Sequence, residues 1–136
     1  MPDAMYPWVH LTGRILFSML FIMGGLNHFM KRADMTAYAT SRGAPMPQLT
    51  VLLTGVLAVV GGVMVMLGWR RFIGAGLLVI FLFLTAIFMH NFWKDTDPIA
   101  KQNEMTQFMK NMAMAGGALF IAYYGASDWP MALGAP

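Results

Sequence analysis

The chain contains no cysteine. This excludes disulfide staples, thiol redox relays, thiolate zinc sites and cysteine-held iron–sulfur clusters, so any redox role must use a bound cofactor. Charge is scarce as well: Lys, Arg, Asp and Glu make up 11% of the 136 residues, against 58% hydrophobic ones. That leaves too little polar material for a separate soluble domain, and residues 1–136 are read as one membrane domain. No Lys or Arg precedes Arg14, and Asn27-His28-Phe29-Met30-Lys31 is not a small-residue cleavage site. The first apolar run is therefore expected to be a retained helix rather than a signal peptide. Internal repeats and low-complexity segments are also missing.

What the chain does have is long apolar runs: Leu11–Phe29, Leu49–Gly68, Phe72–Trp93 and Met105–Tyr124. A helix needs about 20 mostly apolar residues to cross the hydrocarbon, and all four runs qualify. Backbone polar groups cannot stay unpaired in lipid, and these runs are too continuous for barrel strands. The expected fold class is therefore all-α, an integral membrane bundle of four transmembrane helices. Trp8, Trp69, Trp93 and Trp129 fall at or beyond the ends of runs, the depth favoured by amphipathic rings.

Four spans would place both termini and the Trp69-Arg70-Arg71 turn on one face, side A, and segments 30–48 and 94–104 on side B. Side B carries Lys31, Arg32, Arg42, Lys94 and Lys101 against Arg14, Arg70 and Arg71 on side A. By the positive-inside rule side B is cytoplasmic and the termini are not. Asp34 is expected to cap a short interfacial helix that stops at Gly43, and Thr96 or Asp97 to cap a helix with Pro98 at its first position.

Helix faces point to candidate site residues. Arg14, Phe17, Phe21, Gly24 and His28 form one stripe of the first span, and Thr106, Lys110, Ala113 and Gly117 one stripe of the fourth. Small residues mark close helix contacts in membranes, so Lys110 is expected to face the bundle interior rather than lipid. Chain direction then brings His28, His90, Asn91, Trp93, Lys110 and Asn111 to similar depth at the side B end. Convergent polar groups at the mouth of an apolar bundle are the usual form of a small-molecule site. Plainer roles compete with this one. Either histidine can satisfy free carbonyls at a helix end, Lys110 can snorkel, the asparagines can bond between helices, and Arg14 reads as a snorkelling anchor. Fifteen methionines are better explained as flexible packing than as copper ligands, and His28 with His90 is thin evidence for haem. No metal site is assigned.

The runs His90-Asn91-Phe92-Trp93, Asp97-Pro98, Phe108-Met109-Lys110-Asn111 and Ala113-Met114-Ala115-Gly116-Gly117 resemble the second half of the DoxX family. Arg14, Gly24-Gly25-Leu26-Asn27-His28-Phe29 and Gly43-Ala44-Pro45 resemble its first half. The resemblance implies a small four-helix protein of a bacterial inner membrane, associated with redox chemistry. Its family is named for a subunit linked to a thiosulfate:quinone oxidoreductase and terminal oxidase. The matched polar residues are Arg14, His90, Asn91, Trp93, Lys110 and Asn111, while His28 belongs to the Asn-His-Phe version of the first-helix motif. Nothing here resembles a thiosulfate-binding domain, so that substrate does not transfer.

The expected function is a membrane subunit of a redox complex with a quinone site at side B. His90 or Lys110 would bond a carbonyl oxygen, Asn91 or Asn111 would orient it, and Trp93 would pack on the ring. The alternative is a non-catalytic accessory subunit that stabilises or shields a larger respiratory or photosynthetic complex. No complete catalytic set is present. The expected partners are the lipid bilayer and other membrane subunits, with no nucleic acid.

Overall fold

The computed structural model describes residues 2–134, with side chains from Met5 onward. It is all-helical: α1 (Pro2–Met30), α2 (Arg32–Ser41), α3 (Pro47–Leu67), α4 (Arg71–Phe88) and α5 (Pro98–Tyr124), with one 3-10 turn at Phe92–Lys94. Three stretches, Met5–Met30, Pro47–Leu67 and Arg71–Lys94, are long and apolar enough to cross a membrane. Leu16, Leu20, Met23, Ile80, Phe83 and Ile87 point outward from them, as lipid-facing side chains must in a bundle surrounded by hydrocarbon. α5 is more mixed, with Gln102, Asn103, Glu104, Gln107, Lys110 and Asn111 in its first half.

Glycine lets the helices approach closely. α3 faces α1 through Gly55, where a Cβ would lie 2.7 Å from His28 Cβ. It faces α4 through Gly61, where a Cβ would lie 2.9 Å from the Gly74 carbonyl oxygen. Such contacts replace the hydrophobic drive that lipid removes, since packing is then the main source of helix association. α4 packs in turn on α5, and α2 folds against α3. Phe21, Ala58, Val65, Leu78, Leu82, Ala115 and Ala118 form the shared core.

Helix ends follow local chemistry. α3 stops at Gly68, whose φ of +69° suits a residue without Cβ. The amides of Gly68 and Trp69 close a Schellman motif on the Val65 and Met64 carbonyls, at 3.1 and 2.9 Å. Asp97 caps α5 as expected, accepting from the Ala100 amide at 2.9 Å, with Pro98 following it. At about 1.5 Å per residue α5 is about 40 Å long.

α1 begins at Pro2 and so extends beyond the apolar run Leu11–Phe29 that it contains. Two expectations change. α4 ends at Phe88, so His90, Asn91 and Trp93 lie on the connection beyond it. Asp34 sits inside the first turn of α2 and Lys31 takes the capping position without a side-chain cap. Lys31 donates to the Asn27 carbonyl at 2.8 Å and accepts from Met35 at 3.0 Å, so backbone bonding runs almost unbroken from α1 into α2 and leaves Asp34 no free amides to cap.

Candidate ligand-binding site

All five helices contribute to a cavity of about 200 Å³ at the side B end of the bundle. Its walls are mainly apolar, with Met35, Phe81, Leu84, Phe88 and Met89, and its polar groups are Tyr38, Thr50, Thr54, Thr85, His28, His90 and Asn111.

His28 is placed by the last turn of α1 and packed over Gly55. Its Nδ1 lies 3.0 Å from the Val51 carbonyl oxygen and 3.1 Å from Thr54 Oγ1. A carbonyl only accepts, so Nδ1 carries the proton, while the Thr54 hydroxyl donates to the Thr50 carbonyl at 2.7 Å. His90 repeats the arrangement from the opposite wall: Nδ1 donates to Glu104 Oε2 at 2.8 Å. A carboxylate also only accepts, so each ring keeps Nε2 free of protein partners among the described residues. Deeper in the bundle Asn111 donates to Thr85 Oγ1 at 2.9 Å, and the Thr85 hydroxyl donates to the Phe81 carbonyl at 2.8 Å.

A polar belt closes the cavity. The Tyr38 hydroxyl donates to Glu104 Oε1 at 2.7 Å, so Glu104 receives one bond from α2 and one from the connection after α4. Burial, helped by the Glu104 bond, pushes the Tyr38 hydroxyl up to about 12. Burial acts to raise Glu104 too, but the bonds from Tyr38 and His90 outweigh it and hold the carboxyl below its ordinary range. Beside it Arg42 pairs bidentately with Asp95, at 2.8 and 3.1 Å, and its Nε donates to the Met89 carbonyl at 3.1 Å. The pairing lowers the Asp95 carboxyl and raises Arg42. α2 is thereby tied across the cavity to the α4–α5 connection.

Of the residues expected at this site, His28, His90 and Asn111 line the cavity. Asn91 is buried but donates to the Arg42 and Phe88 carbonyls at 3.0 and 3.1 Å, bracing the belt. Trp93 is half-exposed on the 3-10 turn and packs edge-on against Phe92 and Phe108.

Lys110 is exposed on the outer face of α5, which overturns its expected inward orientation. The buried face is offset by one residue, through Asn111, Ala115 and Ala118. An amide can be satisfied by Thr85 where an ammonium would have to shed its water, and small residues occur on both faces of α5, so they did not discriminate.

Arg14 stands at the other end of the bundle and does not snorkel: it is 4% exposed and donates to the Met131 carbonyl at 3.0 Å. Tyr38, Thr54, Thr85 and Glu104 were missed in the sequence. The spacing Glu104–Phe108–Asn111–Ala115 was the available signal, since it is the helix stripe that proves to be buried or half-buried.

The chain is 33% identical over 125 residues to the inner membrane protein YphA of Escherichia coli (strain K12), a match covering 90% of this chain and 86% of that protein. No solved structure matches it. The DoxX family model matches residues 9–91, a stretch that runs from α1 through α4 and includes His28, Tyr38, Thr54, Thr85 and His90 of the cavity. With more than half its length so matched, this apolar helical membrane protein belongs to the DoxX family.

Proposed function

We propose that this protein is a subunit of a membrane redox complex and that its side B cavity holds the ring of a quinol or quinone. The observation that carries this reading is the pair of imidazoles, each with Nδ1 committed to a protein acceptor and Nε2 free. Two free acceptors suit a ligand with two hydroxyls, the reduced form of a quinone. The apolar walls suit the ring, and about 200 Å³, below the roughly 300–1,000 Å³ of drug-sized pockets, suits a single-ring head with its tail left in lipid. A bound quinol supplies two electrons and two protons on oxidation; this cysteine-free chain would orient it and accept protons at histidine, with electrons passing to a partner subunit. Lys110, Asn91 and Trp93 have no part in this version of the site.

In this proposal α5 is the fourth crossing, because it packs along α4 and Lys110 is the one charge in Met105–Tyr124. The expected setting is a bacterial inner membrane, as for the YphA relative, with side B cytoplasmic by its excess of Lys and Arg. The test is titration of detergent-purified protein with the single-ring duroquinol and with duroquinone. Saturable binding of the quinol, weakened at least tenfold in His28→Ala and His90→Ala, is expected. Absence of binding to either form would sink the site and leave the accessory-subunit role.

A further inference from the structure

At the side A end, α1 presents His10, Arg14 and Ser18 one turn apart on one face. His10 Nδ1, Arg14 Nε, Arg14 Nη1 and Ser18 Oγ are all buried without a hydrogen-bond partner. Arg14 is 4% exposed, Ser18 0% and the neighbouring Arg71 2%. Arg71 spends its donors on backbone, at the Gly68, Ser127 and Gly134 carbonyls. Trp129 lies between the two guanidiniums, its ring 5.6 Å from Arg14 and 4.9 Å from Arg71. Among the described residues neither arginine has a carboxylate within ion-pair distance.

Two buried cations without an anion are costly, and guanidinium hydrogens buried without acceptors beside a pocket add to the cost. The pocket is there: about 430 Å³, lined by His10, Arg14, Phe120, Tyr124, Ser127 and Trp129, with the exposed Asp128 at its wall. It shares Phe120 and Tyr124 with an apolar groove along α5 that continues over Gly116, Leu119 and Tyr123. Trp8 and Trp69, both half or more exposed nearby in sequence to the two arginines, mark this end as headgroup depth.

We infer that this pocket binds an anionic phospholipid, its phosphate against Arg14 and its acyl chain along Leu119, Phe120 and Tyr123. Charge complementarity selects an oxyanion, and continuity with the apolar groove selects a lipid over a free ion. His10, on the same stripe, also lines the pocket and offers a further hydrogen bond. Arg71 acts as a second charge and as the clasp of residues 127–134, which close the pocket from above. The site is independent of the side B cavity.

The test is native mass spectrometry of delipidated full-length protein titrated separately with phosphatidylglycerol, phosphatidylcholine and inorganic phosphate. One phosphatidylglycerol should bind at least about five-fold more tightly than phosphatidylcholine, the scale of one arginine at a membrane surface. Arg14→Gln should abolish that preference, whereas Lys110→Gln, a lost charge elsewhere on the bundle, should keep it. Phe120→Ser, which leaves both arginines in place, should weaken phosphatidylglycerol binding if Arg14→Gln does not fold. Asp128→Asn should strengthen it by removing a like charge from the pocket. Equal binding of the two lipids by the wild-type chain, or a preference that survives Arg14→Gln, would overturn the inference. Inorganic phosphate binding as tightly as the lipid would overturn the lipid assignment in favour of a free anion.

Discussion

His90 and Glu104 meet at 2.8 Å across the mouth of the side B cavity, a connection residue and an α5 residue joined at the point where Tyr38 of α2 also binds the same carboxylate. α2, the α4–α5 connection and α5 are thus held together by one side chain. Glu104→Gln keeps one acceptor oxygen and so can no longer accept from both His90 and Tyr38. It should lower stability by about 1 kcal/mol and weaken quinol binding, with thermal melting in detergent and ligand titration as the readouts.

Acid should loosen this end of the molecule first. The folded Glu104 and Asp95 carboxyls are held below their ordinary values, so their stabilisation is complete above those values and is lost as pH falls through the depressed ones. Melting temperature should therefore drop between about pH 5 and pH 3. The drop should shrink in Glu104→Gln; a wild-type melting temperature flat through this window would contradict the belt's role.

At the alkaline end Tyr38 reports on the same belt. Its hydroxyl titrates near 12 rather than 10, so the folded state favours its neutral form, and that contribution is present below pH 10 and fades as pH rises toward 12. Ultraviolet titration of tyrosinate should show a late component that vanishes in Tyr38→Phe. An unchanged titration curve in that variant would mean that Tyr38 is not bonded to Glu104.

Gly55→Ala tests the close approach of α1 and α3 behind His28. The added methyl would sit 2.7 Å from His28 Cβ, and overpacking of this kind costs about 1–3 kcal/mol. Because the same shift displaces the His28 ring, ligand affinity should fall with stability. Gly24→Ala, where a Cβ meets nothing within 4 Å, is the matched control and should be silent in both measurements.

Lys110→Met should change stability by no more than about 0.5 kcal/mol, as expected for an exposed position, and should leave side B binding intact. A loss comparable to that of His90→Ala would return Lys110 to the interior.

Much of this architecture is written in one-dimensional patterns. Hydrocarbon demands long apolar helices, so run length and composition determined the membrane class and the three evident spans, and Asp97 with Pro98 marked the start of α5. The stripe from Arg14 through Phe17 and Phe21 to His28 was legible because its charged and polar ends share one face of α1 at helical spacing. α5 was not legible in the same way: Lys110 and Asn111 are neighbours, small residues flank both faces, and only packing against Leu82 and Thr85 decides which one turns inward. Tertiary structure alone also brought Tyr38, Glu104 and His90 together and folded residues 127–134 over Arg14 and Arg71. These are contacts between segments distant in the chain, and periodicity within a helix carries no information about them. Sequence by itself determined what kind of solvent the protein lives in; the tertiary structure decided which polar groups that solvent never reaches.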